Sequence, residues 1–315
     1  MQQVLSKKHR LITRIDFDGL VCAILLSQAG VVNSISFAHP RDIQHKFFPV
    51  TGEDILANLP YHENALLVFD NHPSEKKRIP QGNDKWVIDT SAPSTSRIIF
   101  NSFDGVKNLK SLAPLVDAAD KVVSADFTLD DILDPQDWVL LSFLLDARTG
   151  LGRFKHFRAT NTQIMLELVK IVPKMGITEI MKIFDIQERV ELYRKHQQMF
   201  TEQLMRVTTA HDRVAEINLL RESQIWVGNR FMVYALFPMT KMSMHVLWGK
   251  DQENIVFACG ASIFNKDISR IKIGDLMLAY GGGGYDRAGT CQLYIKDAER
   301  ARPLIIQSLN EMVDI

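Results

Sequence analysis

Two aspartates separated by one residue close the first apolar run of the chain, in Asp16-Phe17-Asp18-Gly19. A second acidic signature, Asp70-Asn71-His72-Pro73, closes a later apolar run, and four glycines, Gly281 to Gly284, precede Tyr285 near the C-terminus. An Asp-x-Asp pair at a strand end sends two carboxylates into one loop, where they repel unless a cation lies between them. Hard oxygen donors suit magnesium or manganese. Two such ions about 4 Å apart activate water and stabilise the charge of a phosphoryl transition state. A DxDG loop by itself reads equally as a turn with a helix N-cap. Consecutive glycines read as a flexible turn or as a nest of backbone N–H groups against phosphate or ribose. Together these residues predict metal-assisted phosphoester chemistry at the junction of two domains.

The elements that must position these residues follow from hydrophobic patterning. Residues 11–15, 34–37, 65–69 and 85–88 are apolar runs of strand length, and 19–29, 94–100, 112–123 and 138–145 have helical spacing. Strands alternating with helices predict a mostly parallel sheet covered on both faces, with ligands beyond the carboxyl ends of the strands, where Asp16 and Asp70 fall. Residues 161–171 and 178–184 read as short helices and 185–217 as one or two polar helices. Beyond them, 224–227, 231–236, 243–248, 254–259 and 292–295 read as strands, and 273–279 and 298–312 as helices. The expected fold is α/β. An N-terminal domain, 1–184, carries a mostly parallel sheet flanked by helices. A helical linker, 185–220, leads to a smaller C-terminal α/β domain with a mixed sheet, 221–315, holding the glycine loop.

Composition narrows the function. Of the 315 residues 46% are hydrophobic, so a sizeable core is expected. No apolar run reaches the roughly 18 residues of a membrane span, and no signal-peptide core is apparent, so a cytoplasmic protein with no membrane partner is expected. Cys22, Cys259 and Cys291 lie in apolar segments without metal-site spacing, which favours reduced, buried thiols. Lys+Arg and Asp+Glu both total 37; a groove for long nucleic acid needs a basic surplus, whereas a short phosphorylated ligand needs only a few local cations.

The motif set as a whole resembles the DHH phosphoesterase superfamily. Thr13-Arg14-Ile15-Asp16-Phe17-Asp18-Gly19 is similar to the first motif of that family, and Asp70-Asn71-His72-Pro73 to its Asp-His-His-Pro motif. Val87-Ile88-Asp89-Thr90-Ser91-Ala92-Pro93-Ser94-Thr95-Ser96 resembles the stretch that opens a Ser/Thr-capped helix downstream. Gly281-Gly282-Gly283-Gly284-Tyr285-Asp286-Arg287-Ala288-Gly289 resembles the Gly-Gly-Gly-His…Ala-Gly loop of the associated C-terminal domain. The resemblance implies a metal site built from Asp16, Asp18, Asp70 and Asn71, with His72 contacting the attacked phosphate or orienting Asp70. It places a second-motif aspartate between these, where Asp54 fits and Asp42 fits less well. The alternative for Asp54 is a solvated helix cap. For the fourth aspartate it implies Asp120, with Asp117 one helical turn earlier as partner or ligand, and Asp146 as rival. Substrate-binding roles fall to Gly281, Gly282, Gly283, Gly284, Tyr285 and Arg287, with Ser262, Asn265 and Lys266 in a nearby loop. Arg148, Arg153, Lys155 and Arg158 form the one basic stretch, read as a solvated face or as phosphate capture.

Three positions depart from the family pattern: Arg14, Asn71 and Tyr285 stand where histidines are usual. Arginine is permanently cationic and cannot ligate a metal. An amide oxygen is a weaker ligand than imidazole for manganese. The expected cofactor is Mn2+, or Mg2+, as one or two ions. The resemblance implies hydrolysis of very short 5'-phosphorylated RNA, diribonucleotides such as pGpG or nanoRNA, with room for a homodimer. The competing readings are a phosphomonoesterase on 3'-phosphoadenosine 5'-phosphate, an exopolyphosphatase, and a non-catalytic nucleotide sensor.

Overall fold

The computed structural model describes residues 7–73, 75, 85–154, 156–265 and 271–313. The chain divides into two compact units, one of Met1–Phe127 and Pro135–Glu191, the other of Thr128–Asp134 and Leu192–Ile315.

The first unit is organised by a five-stranded sheet of β1 (His9–Thr13), β2 (Val32–Phe37), β3 (Asp54–Ala57), β4 (Leu67–Asp70) and β5 (Trp86–Ile88) in the order β2-β1-β3-β4-β5. Every pairing in it is parallel. Strands β3 and β4 are buried along their whole length, because helices or loops cover both faces of such a sheet and only apolar runs survive there. Strand β3 was not among the expected strands. Its apolar run is only Ile55-Leu56-Ala57, and the alternative reading of Asp54 is a helix cap; in the sheet it pairs with both β1 and β4.

Helix α1 (Phe17–Gln28) follows β1 directly, and its residues from Phe17 to Leu26 are buried. Asp16 caps it: the carboxylate Oδ1 accepts the Gly19 N–H at 2.8 Å. Gly19 has no alternative, since a Cβ there would lie 2.1 Å from the Arg14 carbonyl oxygen. Helices α2 (Thr95–Ser102), α3 (Ala113–Val123), α4 (Asp137–Leu145) and α5 (Asn161–Ile171) complete this unit's helical layer. The strand order reverses direction at β1/β3. In open parallel sheets the crevice beyond the carboxyl ends at such a point is where ligands bind.

Helix α6 (Phe184–Val207) runs into the second unit. There a six-stranded sheet takes the order β10-β11-β9-β8-β7-β6, from β6 (Thr208–His211), β7 (Val214–Asn218), β8 (Met242–Trp248), β9 (Ile255–Ala261), β10 (Gly283–Tyr285) and β11 (Ala288–Leu293). Only β7 and β8 pair in parallel, so the sheet is mixed as expected. Helices α7 (Ile273–Ala279) and α8 (Ile295–Glu311) cover a core of Val246, Phe257, Met277 and Ile305, among others. Three readings are corrected here. Helix α6 stops at Val207, and Thr208–Asn218 is a hairpin turning at Asp212, which takes a positive φ of 52°. The apolar run 231–236 forms a short helix, Met232–Leu236, in place of a strand, and 224–227 joins no sheet.

Candidate active site

The carboxyl ends of β1, β3 and β4 gather Asp16, Asn58, Asp70 and His72. Asp16 sits between three donors. Its Oδ1 accepts from Gly19 N and, at 2.9 Å, from Asn58 Nδ2, while Arg14 Nε lies 3.1 Å from its Oδ2. Asp18 points inward and is buried, and its carboxylate accepts the first two N–H groups of α2: Thr95 N at 3.1 Å and Ser96 N at 3.0 Å. The helix N-terminus stabilises that charge only in part. Burial first, and the neighbouring Asp16 charge second, push the Asp18 carboxyl up to about 6. Asp70 closes onto its own motif, with His72 Nδ1 at 2.6 Å from Oδ1 and His72 N donating to Oδ2 at 3.1 Å. Burial pulls the His72 imidazolium down, but the Asp70 charge and hydrogen bond outweigh it, and its pKa rises on balance. The charges of Asp16, Asp18 and Asp70 all act on the buried Cys22 thiol and hold it protonated, after burial itself.

The structure brings Asp16, Asp18, Asp70 and His72 to one strand-end region and places other expected residues elsewhere. Asp54 begins β3 while Asn58 follows its end, so a strand length separates them. The Asp54 carboxylate is held by Arg10, with Nε at 2.8 Å and Nη2 at 2.6 Å, and by Thr51 N at 2.7 Å. It forms a buried ion pair at the amino end of the central strand, opposite the carboxyl ends, and not a helix cap. Asn58 holds the strand-end place expected of an aspartate. The sequence hid it because the polar residue ending so short an apolar run is an amide. Asn58 also takes a positive φ of 57°, a region few side chains enter and Asn enters more readily than most.

Asn71 is buried and already spent: its Oδ1 accepts from Thr95 Oγ1 at 3.0 Å and its Nδ2 donates to the Ala92 carbonyl at 3.2 Å. Asp120 accepts from Ser94 Oγ at 2.6 Å and from Arg97, whose Nη2 also reaches the exposed Asp117 at 2.6 Å. Ser94 is the N-cap of α2, so this network braces the helix end that holds Asp18. Asp146 is likewise paired, to Arg148 through Nε at 2.8 Å and Nη2 at 2.7 Å. In the basic stretch Arg158 is bound to Asp185, and Lys155 lies outside the described residues.

In the second unit the glycines are used by the fold. The N–H groups of Gly281 and Gly282 go to the carbonyls of Leu278 and Met277, closing α7, and Gly283 and Gly284 pair with β11. A Cβ on Gly282 would lie 2.0 Å from the Thr290 carbonyl oxygen, so close backbone approach demands this glycine. A nest pointing the Gly281 and Gly282 amides at an anion is not formed. Ser262, Asn265 and Arg287 do come together: Arg287 Nη2 donates to the carbonyls of Ser262 at 2.9 Å and Asn265 at 2.8 Å, and Asn265 Nδ2 donates to Ser262 Oγ at 3.2 Å. Lys241, which the sequence did not single out, joins them through the Asn265 side chain. Tyr285 ends β10, and Lys266 lies outside the described residues.

No family model and no curated protein matches the chain. Among solved structures, the chain is similar to a pGpG-specific phosphodiesterase, PggH from Vibrio cholerae, at 44% identity and a TM-score of 0.77, over 96% of this chain and 99% of that one. The chain belongs to the DHH phosphoesterase family. Two further structures are far more distant. An uncharacterized protein from Helicobacter pylori G27 matches at 12% identity and TM-score 0.37, over 96% of this chain and 99% of that one. CDC45 from Entamoeba histolytica matches at 8% and 0.42, over 96% and 95%. Those likenesses are too slight to bear on site or activity.

A DHH phosphoesterase calls for a divalent cation, and the donor chemistry here suits one. Three carboxylates and an imidazole share the strand ends, and burial first and the Asp16 charge second raise the Asp18 carboxyl. Yet among the described residues no three His, Cys, Asp or Glu side chains stand close enough to form a metal cage. The reason is visible in the contacts: Asp16, Asp18, Asp70 and Asn71 are each turned onto donors of the chain itself. The set suits a hard divalent cation in chemistry, and its side chains must rotate to close around it.

Proposed function

We propose that this protein is a divalent-cation-dependent phosphodiesterase that hydrolyses very short RNA, pGpG foremost, to mononucleotides. The observation that carries the reading is the near full-length similarity to the pGpG-specific enzyme at 44% identity, with the Asp16/Asp18 and Asp70/His72 signatures sharing one strand-end region. Asp18 and Asp70 would hold the ion, with Asp16 beside them and Mn2+ or Mg2+ as occupant. When bound, the ion supplies an activated water and neutralises phosphate charge.

The chain's own residues do the rest. The α2 N-terminus fixes Asp18, and Asp120 with Arg97 fixes Ser94 at that terminus. Asp70 fixes the His72 ring through Nδ1, which makes Nε2 the reacting nitrogen. A protonated His72, favoured by Asp70, would hand its proton to the leaving ribose oxygen as water adds to phosphorus and the P–O bond breaks, the proton lost by the water passing to solvent, from which His72 is reprotonated. From pGpG and one water two GMP result. Zero formal net charge suits a ligand of a few phosphates. Ser262, Asn265, Tyr285 and Arg287, with the Gly283–Gly284 edge, are proposed as nucleotide contacts on the second unit. No helix among the described residues is long and apolar enough to cross a membrane, and the three cysteines are unpaired and buried. Both support work in the cytoplasm.

The test is nucleotide release by the purified full chain with Mn2+ or Mg2+, from pGpG, other diribonucleotides, 3'-phosphoadenosine 5'-phosphate and polyphosphate. The expected result is GMP from pGpG at the highest rate, abolished in Asp18→Asn. No mononucleotide from any diribonucleotide would refute the reading, and binding without turnover would return the sensor. Light scattering on the same preparation reads whether the enzyme is a homodimer.

A further inference from the structure

Four of the described arginines in the first unit are closed pairs. Arg10, Arg97, Arg148 and Arg158 each hold a carboxylate through both Nε and Nη2. Such two-point pairing uses up the guanidinium fork and serves the fold. Arg14 differs. Its one carboxylate contact is Nε at 3.1 Å from Asp16 Oδ2, its side chain is about one-third exposed at 36%, and neither Nη1 nor Nη2 has a hydrogen-bond partner among the described residues.

The residue that holds Arg14 is itself held. Asp16 Oδ1 takes two donors, Gly19 N at 2.8 Å and Asn58 Nδ2 at 2.9 Å, which leaves Oδ2 to face the arginine. Asn58 reaches Asp16 from a strand end with a positive φ of 57°, and its own N–H is fixed on the Phe69 carbonyl at 3.1 Å. Asn58 thus anchors Asp16, and Asp16 anchors Arg14 by Nε. Arg14 directly follows β1, at the reversal point of the sheet, where Asp16 and the start of α1 also lie. Two parallel N–H donors match two oxygens of a phosphoryl group.

We propose that Arg14 is a catalytic residue whose Nη1 and Nη2 bind the phosphoryl oxygens of the scissile diester, and that Arg14, Asp16 and Asn58 together put a fixed positive charge where a second metal ion would otherwise be needed. The site therefore takes no more than one divalent ion. This rests on the phosphodiesterase reading for its substrate but not for its ion count. Asn58 is a positioning residue in the same unit.

Two measurements on the full chain decide it. Equilibrium dialysis against MnCl2 without nucleotide, with manganese and protein both quantified, is expected to give at most one ion per chain; two ions per chain would overturn the inference. Steady-state hydrolysis of pGpG by Arg14→Gln is expected to fall about 100-fold in kcat, with the melting temperature and the ion count of the parent protein. Arg14→Lys, which keeps the charge and loses the fork, is expected to recover only a small part of that loss. A kcat for Arg14→Gln equal to the parent's would overturn it as well. Should the parent release no GMP at all, the phosphodiesterase reading fails by itself, and the ion count still decides for or against the one-ion site.

Discussion

Arg10 and Arg14 stand at the two ends of one strand, each beside an aspartate, and they do different work. At the entry of β1, Arg10 grips Asp54 with two nitrogens, Thr51 adds two more donors to the same carboxylate, and the acid is buried. At the exit, Arg14 touches Asp16 through Nε alone, and the remaining donors on Asp16 come from Gly19 and Asn58. The entry pair is closed and ties β1 to β3. The exit pair is held through one nitrogen, and its aspartate shares the carboxyl end of the sheet with Asp18 and Asp70. Residue type does not separate the two pairs; the end of the parallel sheet does, because ligands reach the carboxyl ends.

That contrast can be broken first at Asp18. Asp18→Asn removes the carboxylate at the exit and is expected to lower pGpG turnover about 1000-fold, read as initial rate of GMP release. A loss under tenfold would put the chemistry elsewhere. Asp54→Ala tests the entry. It strands the Arg10 charge and removes a buried acceptor, so it is expected to cost about 3–5 kcal/mol of stability with kcat at 25 °C unchanged. Urea denaturation and the same assay read both, and an inactive but fully stable variant would return Asp54 to the site.

Asn58→Gly keeps a backbone that accepts positive φ and deletes only the donor to Asp16. The expected result is a kcat loss of about tenfold with little change in melting temperature. A large fall in melting temperature would make Asn58 structural.

The two ends also answer to pH with opposite sign. Burial works against the charged Asp54, but the Arg10 and Thr51 hydrogen bonds outweigh it and hold its carboxyl below the ordinary value. That contribution is full above the unfolded value near 4 and is lost as pH falls through the lower folded value. Asp18, raised to about 6, binds its proton more tightly when folded. Its contribution is full below about pH 4 and is lost as pH rises through about 6, roughly 3 kcal/mol in all. In stability measured against pH, Asp54→Ala should flatten the rise below pH 4 and Asp18→Asn the fall between 4 and 6. If Asp18→Asn leaves the fall in place, the charge at the exit is balanced by something else.

Much of this was legible in the residues. The DxDG turn, the Asp70–His72 turn and the Ser94 cap each end or begin an element whose pattern spans enough residues to be read. Strand β3 was not, because three apolar residues fit a strand or a helix equally. Without β3 the second acidic position falls on Asp54 at the start of the run, and Asn58 at its end goes unread. Asp117 and Asp120 sit on the expected helix, but only coordinates show Arg97 holding both. The glycines were expected to grip a ligand. Close packing of α7, β10 and β11 explains Gly282 and Gly284, a demand between backbones that no linear pattern displays. Both sheets, parallel and mixed, followed from the apolar runs and the change in composition between them.

The central claim is that the exit of β1, not its entry, is the catalytic end. The most direct test measures kcat for GMP release from pGpG in Arg10→Gln and Arg14→Gln side by side, at a temperature where both are folded. The account predicts that Arg10→Gln keeps the parent rate within about twofold while Arg14→Gln loses about 100-fold. Equal losses in the two variants, or a larger loss in Arg10→Gln, would contradict it.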